Sequence, residues 1–167
     1  MATPATTNQI PSDSILDNFN RQVYLGNQYI ASTNNVTITG TTEQPYILFS
    51  NPSTNTKGLF LNVKKLTALS ANNAYFRFYT NPTVTTNGTA LAASNLRSAS
   101  TFTSVASVYT IPTVSANGTY LALLASANYV PDISNVLTIT DPGQSLLMTV
   151  QVSATSAVAI EFSWYEI

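Results

Sequence analysis

The sequence predicts an all-β protein: an antiparallel β-sandwich of jelly-roll or related Greek-key type, preceded by an extended N-terminal arm. From residue 36 onward, Val, Ile, Thr, Tyr and Phe are concentrated in runs of roughly 4 to 10 residues, separated by clusters of Asn, Gly, Pro and Ser. No stretch has the period of an amphipathic helix of ordinary length, so crossover helices are not expected and the strands should pair antiparallel.

The first 22 residues are predicted to form an arm or anchor, and residues 23–167 a single sandwich domain. Residues 1–13 lack apolar periodicity and contain Pro4 and Pro11, which indicates an extended polar segment. Two interpretations stand: a frayed terminus, or an arm that becomes ordered on a partner or a neighbouring subunit.

The segment that follows the arm carries two signals. Ile15, Phe19 and Val23 have helical spacing after a possible Ser14 cap, whereas Val23–Leu25 and Tyr29–Ile30 favour strand. We therefore expect no more than one short helical turn there.

Nine strands are expected in the rest of the chain, and alternation shows which side of each is buried. They lie near residues 36–39, 45–50, 58–69, 74–80, 101–110, 119–125, 135–140, 145–153 and 157–166. In the last of them, Val158, Ile160, Phe162 and Trp164 share one face, so Trp164 is predicted to lie in the core.

A phrase of fourteen residues occurs twice. Residues 79–92 read YTNPTVTTNGTALA and residues 109–122 read YTIPTVSANGTYLA, with ten identical positions. The wider chain keeps this spacing: Pro52, Pro82, Pro112 and Pro142 are thirty residues apart, and Gly58, Gly88 and Gly118 follow the first three by six. The pattern predicts a strand, a turn opened by proline and closed by glycine, and a new strand. It reflects either duplication of a strand pair or strands of similar length.

Composition excludes several classes of partner. Charged residues are 8% of the 167 residues, and the net charge is −1, so no long-range field attracts nucleic acid or an anionic membrane. With so few charges to protect strand edges, a homo-oligomer is expected. The N-terminus has neither the basic nor the apolar region of a signal peptide, so we expect synthesis and release in a cytoplasm.

The sequence predicts no enzyme and no catalytic, cofactor-binding or metal-binding residue. It contains no histidine and no cysteine, which removes the commonest general base and the commonest metal ligands. A pair of carboxylates, as in glycosidases, is the remaining alternative. The available carboxylates are Asp13, Asp17, Glu43, Asp132, Asp141, Glu161 and Glu166, of which Asp141 and Asp132 have the sequence context of turns.

Three other groups of residues have both a functional and a structural interpretation. Asn35, Asn87 and Asn117 fit the glycosylation acceptor pattern, but Asn-Gly at the last two also favours a tight hairpin turn. The tyrosines 75, 79, 109, 120, 129 and 165 could stack on sugars, or could be half-buried strand residues. Lys64, Lys65, Arg77 and Arg97 are too few for a nucleic-acid patch, and we expect them at the rim of a subunit contact.

Several segments resemble small structural proteins of tailed-bacteriophage virions. These are ILFSNPSTNTKGLFLNVKKL, AYFRFYTNPTVTTNGTALAASNL, YTIPTVSANGTYLA and DPGQSLLMTVQVSATSAVAIEFSWYEI, which together span about residues 45–167. The likeness lies in the succession of an apolar strand, an Asn-Pro turn, an Asn-Gly-Thr turn and a closing strand that ends in Trp-x-Glu, and it includes no catalytic signature. It implies a virion component that oligomerises, often as a trimer, on the capsid exterior or the tail.

From this resemblance we expect a capsid-exterior decoration or cementing protein that binds copies of itself and the major capsid protein or another virion protein. The alternative is the receptor-binding or carbohydrate-binding head of a phage fibre or tail, whose tyrosines would contact host glycans. A third candidate, the shell protein of a very small virus, is disfavoured because Arg21 is the only basic residue before Lys57.

Overall fold

The structure, a computed structural model, describes residues 18–33, 35–69, 72–126 and 137–167. Within these ranges there is one helix and there are fourteen strands. They are α1 (Asn18–Leu25), β1 (Gln28–Ser32), β2 (Val36–Ile38), β3 (Gln44–Ser50), β4 (Leu59–Ala68), β5 (Ala74–Thr80), β6 (Thr83–Thr86), β7 (Thr89–Ala90), β8 (Ser94–Asn95), β9 (Ser107–Thr110), β10 (Thr113–Ala116), β11 (Thr119–Ser126), β12 (Leu137–Thr140), β13 (Ser145–Val152) and β14 (Ser156–Glu166).

The strands form two antiparallel sheets that face each other. Sheet A has the order β12-β4-β14-β1-β8, with β2 also paired to β14, and sheet B has the order β11-β5-β13-β3-β9-β7. From β3 to β5 and again from β11 to β14, successive strands alternate between the sheets, because β3, β5, β11 and β13 belong to sheet B whereas β4, β12 and β14 belong to sheet A. The predicted all-β antiparallel sandwich is confirmed.

The core lies between the sheets and is built by the alternation read from the sequence. Trp164 is fully buried, as predicted, and its ring packs edge-on against Phe49 with centroids 5.2 Å apart. Val158, Ile160 and Phe162 of the same strand are buried with it. Burying one such side chain contributes roughly 1.5–3 kcal/mol, so β14 alone supplies a substantial part of the folding free energy.

The two copies of the repeated phrase occupy equivalent places in sheet B. In the first copy β5 leads to β6 and β7, and in the second β9 leads to β10 and β11. Thr80 pairs with Thr119 and Thr110 pairs with Thr89, so the end of each copy pairs with the beginning of the other. The middle strands, β6 and β10, pair antiparallel with each other. An approximate two-fold axis therefore relates the two copies.

This axis passes through the cross-strand pair of Leu48 and Leu147, at the centre of sheet B. Thr80 is the partner of Leu146, and Thr110 is the partner of Ile47, which places the copies symmetrically about that pair. Leu48 and Leu147 are buried although they face away from the core. β6 and β10 form a two-stranded ribbon and pair about the same axis, through Val84 and Val114.

The Asn-Gly pairs do not form the expected hairpin turns. β6 does not pair with β7, nor β10 with β11; each proline-to-glycine stretch is instead a strand of the ribbon. Gly88 and Gly118 have φ of +85° and +91°, and a Cβ on either would overlap a carbonyl oxygen of the other copy. Glycine is thus required where the two copies cross. The expectation of positive φ at these glycines is confirmed, whereas the expectation of a hairpin turn is wrong.

Other local expectations hold in part. α1 lies where the sequence indicated one short helical turn, but its eight residues make about two turns. It is followed directly by β1, which the sequence indicated only through Tyr29 and Ile30. The strand expected over 101–110 is wrong in its first part, because β9 begins at Ser107. Residues 1–17 of the predicted arm lie outside the described residues, as does the first part of the strand expected over 135–140.

Candidate functional site

The edges of the two sheets differ sharply in length. Among the described residues, β8 and β7 end one side of the sandwich and have two residues each, whereas β12 and β11 end the other side with four and eight. Short edges offer few unpaired backbone groups, but an eight-residue edge is a template for pairing with another chain. β11 is the edge that needs an explanation.

β11 exposes apolar side chains and carries no charge. Tyr120, Leu121 and Leu123 are 56%, 46% and 46% exposed, whereas Ala122 and Leu124 turn inward and pack against the core. A bulge between Tyr120 and Ala122 leaves Leu121 without a cross-strand partner in β5. The strand lacks the lysines, prolines and inward charges that commonly protect an edge.

Sheet A continues this apolar surface around the same side. Ile139 of β12 is 56% exposed and pairs with Phe60, whose ring stacks on Tyr165 at a centroid distance of 4.8 Å. Ile167, at the end of the chain, is 54% exposed and lies beside Gly58. We call the side formed by β11 and β12 the apolar side.

A cluster around Glu43 neutralises the charges beside β11. The Glu43 carboxylate accepts hydrogen bonds from Thr149 Oγ1 at 2.6 Å, Tyr79 Oη at 2.8 Å and Asn117 Nδ2 at 3.3 Å, and its other oxygen lies 3.4 Å from Arg77 Nη1. Burial, and then the hydrogen bond and charge of Glu43, raise the pKa of Tyr79 above its ordinary value of 10.0. Arg77 is therefore an intramolecular ion-pair partner.

A second carboxylate fixes the loop on the opposite side of the sandwich. Glu166 is 1% exposed and accepts hydrogen bonds from Ser104 Oγ at 2.7 Å and from the Val105 amide at 2.9 Å. Trp164 Nε1 also donates to Ser104 Oγ, at 3.2 Å. Burial and the charge of Glu166 raise the pKa of Tyr29. The Trp-x-Glu ending thus holds residues 100–106, which we call the strap.

The strap borders two adjoining cavities, one of about 300 Å³ and one of about 320 Å³. Both are lined by Tyr29, Phe102 and Thr103. Asn95 Nδ2 donates to the carbonyl oxygens of Gly26 at 2.8 Å and Phe102 at 3.3 Å, which ties the strap to the edge of sheet A. The cavities are therefore bounded by fixed backbone.

The chain matches no protein-family model and no curated protein. What the protein does is therefore inferred from its own residues. In the part of the chain that the structure describes, no helix is long and apolar enough to cross a membrane, and no three His, Cys, Asp or Glu side chains are grouped as metal ligands.

Two of the carboxylates that the sequence singled out, Glu43 and Glu166, are held by different partners on different elements. Asp141 begins the turn before β13, where its carbonyl oxygen accepts a hydrogen bond from the Gln144 amide. Asp13, Asp17 and Asp132 lie outside the described ranges. Arg97 lies 5.6 Å over the Tyr24 ring and donates to the Tyr24 carbonyl oxygen at 2.8 Å, so it is also used within the chain.

The tyrosines fall into different settings. Tyr79 and Tyr120 contact each other, with ring centroids 5.7 Å apart, Tyr165 stacks on Phe60, and Tyr109 lines the smaller of the two cavities. Tyr129 lies outside the described residues. The sequence indicated neither the exposed leucines of β11 as a surface nor Phe102 as a cavity wall, although an uncharged strand rich in leucine was a signal for the first.

Proposed function

We propose that this protein is a structural component of a virion, a capsid-exterior decoration protein that acts as a homo-oligomer through its apolar side. The observation that carries the proposal is the eight-residue, uncharged edge β11, with Tyr120, Leu121 and Leu123 exposed. Leaving this edge in water exposes apolar surface and unpaired backbone groups, and a second copy satisfies both.

The apolar side is large enough for a specific contact. Eight residues of strand extend about 27 Å, and two sheets about 10 Å apart make the side of a sandwich about 20 Å wide, which gives roughly 500 Å² for each protomer. Two such surfaces bury about 1,000 Å², the lower limit for a specific interface. Because Arg77 is paired with Glu43, no uncompensated charge among the described residues of β5 or β11 opposes the contact.

The resemblance to tailed-phage proteins supplies the expected number of copies, three, and the setting, which is the virion. In a trimer the apolar side would turn toward the three-fold axis, and the opposite side would remain available. The second partner is then the major capsid protein or another virion protein. The protein would be made in the host cytoplasm and incorporated into the particle, and its role would be mechanical, without catalysis.

Capsids that lack the protein provide the test. Purified protein should co-sediment with them in a saturable amount, and the decorated capsids should withstand higher temperature before they rupture. A Leu123→Lys variant, which places a charge on β11, should bind fewer copies, whereas Thr85→Lys, an exposed position on the ribbon, should bind normally. Failure of the wild-type protein to bind capsids or tails would refute the virion role.

A further inference from the structure

One of the four differences between the repeated segments lies beside a cavity. In one copy the Tyr120 ring contacts the ring of its cross-strand partner Tyr79. At the equivalent position of the other copy, Ala90 pairs with Tyr109. Alanine has no ring to cover Tyr109, and both Ala90 and Tyr109 line the cavity of about 300 Å³. The cavity therefore lies beside the place where the internal symmetry is broken.

The polar groups of the two copies also differ in their use. Tyr79 Oη donates to Glu43, whereas the hydroxyl groups of Tyr109 and Ser107 have no hydrogen-bond partner among the described residues. Ser104 and Asn95, which line the same cavity, are engaged with Glu166 and with backbone carbonyl oxygens. Within the described part of the chain, the cavity thus combines fixed walls with hydroxyl groups that can bind a ligand.

The lining determines which chemical class fits. It includes the aromatic residues Tyr29, Phe102 and Tyr109 and several hydroxyl groups, and no charged residue. Phe102 is 60% exposed, so an apolar ring stands at the mouth of the cavity. An aromatic face stacks on the C–H face of a pyranose, and hydroxyl groups exchange hydrogen bonds with its rim. A volume of about 300 Å³ is at the lower end of the range for small-ligand sites, roughly 300–1,000 Å³.

We propose that the cavity beside Tyr109 and the strap binds a neutral saccharide, with Phe102 and Tyr109 as its aromatic contacts. The adjoining cavity, which shares Tyr29 and Phe102, accommodates a second sugar unit. This activity is separate from assembly, because the site is on the side of the sandwich opposite β11. It also differs from the expectation that Tyr120 would contact a glycan, since Tyr120 lies on the apolar side.

Saturation-transfer NMR on the full chain tests the site. The probes are the methyl β-glycosides of glucose, galactose and N-acetylglucosamine and their β-linked disaccharides. A ligand of about twelve non-hydrogen atoms with ordinary efficiency has a Kd on the order of 1 mM. We expect transfer to at least one of these sugars at such concentrations.

Three variants locate the binding. Ala90→Tyr restores the ring present in the other copy and should abolish transfer, while the thermal unfolding temperature stays close to that of the wild type. Phe102→Ala and Tyr109→Phe should each weaken binding about fivefold, from loss of stacking and of one hydrogen bond. Ile111→Ala is the matched control, because Ile111 is 61% exposed and lines neither cavity. Absence of transfer to every neutral probe tenfold above the expected Kd, or full binding by a folded Ala90→Tyr variant, would overturn the proposal.

Discussion

Replacing Gly118 with alanine tests the crossing of the two repeated segments. A Cβ at this position would overlap the backbone carbonyl oxygen of Thr80 and lie 2.8 Å from that of Asn81, and neither backbone atom can rotate away as a side chain could. Gly118 also has φ +91°, where a side chain costs roughly 1–2 kcal/mol. Displacing packed backbone adds about 1–3 kcal/mol, so the total loss should be about 2–5 kcal/mol. That is a large part of the roughly 5–15 kcal/mol by which domains are typically stable.

Gly143 supplies the matched control for this substitution. Its φ is +81°, but the atom nearest to an added Cβ is 3.6 Å away, so Gly143→Ala carries the conformational cost without the overlap. Urea unfolding followed by tryptophan fluorescence gives both free energies. Gly118→Ala should cost about 1–3 kcal/mol more than Gly143→Ala, which is the cost of displacing packed backbone. Gly88→Ala should match Gly118→Ala because the two sites are equivalent. Equal losses at Gly118 and Gly143 would refute the crossing geometry.

Three further predictions concern single residues. Ile111 has φ +52°, and the equivalent residue of the other copy is Asn81 at +53°. Asparagine adopts positive φ more readily than a β-branched residue, so Ile111→Asn should raise the free energy of unfolding by about 1 kcal/mol in the same urea assay. A lower free energy of unfolding would show that Ile111 is not strained. Glu166→Gln weakens the charged hydrogen bond to the Val105 amide, so it should lower the free energy of unfolding by about 1.5–3 kcal/mol. Hydrogen exchange at that amide should become at least about tenfold faster. Unchanged exchange would show that the strap does not depend on the carboxylate. Burial raises the pKa of Tyr46 above 10.0, so the unfolded chain loses this proton at a lower pH than the folded chain does. The contribution of Tyr46 to the free energy of unfolding is therefore fully present below about pH 10 and is lost as the pH rises beyond it. Unfolding measured as a function of pH should show a shallower decline for Tyr46→Phe.

The core of the sandwich could be predicted because its signal is local. Val158, Ile160, Phe162 and Trp164 alternate with Ala159, Glu161 and Ser163, and a two-residue period in an apolar run defines a buried face without reference to the rest of the chain. Phe76 and Phe78 of β5 alternate with Arg77 in the same way, and both are buried. Strand order could not be obtained this way, since it depends on pairings between distant segments.

The Asn-Gly pairs show how a local signal can be right about conformation and wrong about topology. Gly88 and Gly118 do adopt positive φ, which a hairpin turn would also require. The sequence within a few residues does not distinguish a turn that returns to its own strand from one that leads to another sheet edge. The near identity of residues 79–92 and 109–122 was the better indicator, because two equal segments can pair with each other.

The candidate sites were only partly within reach of the sequence. Glu43 is hydrogen-bonded to Tyr79, Asn117 and Thr149, which are 36, 74 and 106 positions away along the chain. No local sequence pattern indicates that these residues meet. The composition did indicate an unprotected edge, but not that it would be β11. The cavity beside Tyr109 follows from the contrast of Ala90 with Tyr120, which acquires meaning only once the two copies are known to be equivalent.

Sedimentation velocity of the purified protein tests self-association through the apolar side. The 17.9 kDa chain should sediment as a discrete oligomer at micromolar concentration. Leu123→Lys should shift it to the monomer, since each contact would then bring like charges together, and Thr85→Lys should not. A wild-type protein that is monomeric at every concentration, or a Leu123→Lys variant that keeps the wild-type mass, would contradict self-association through this surface.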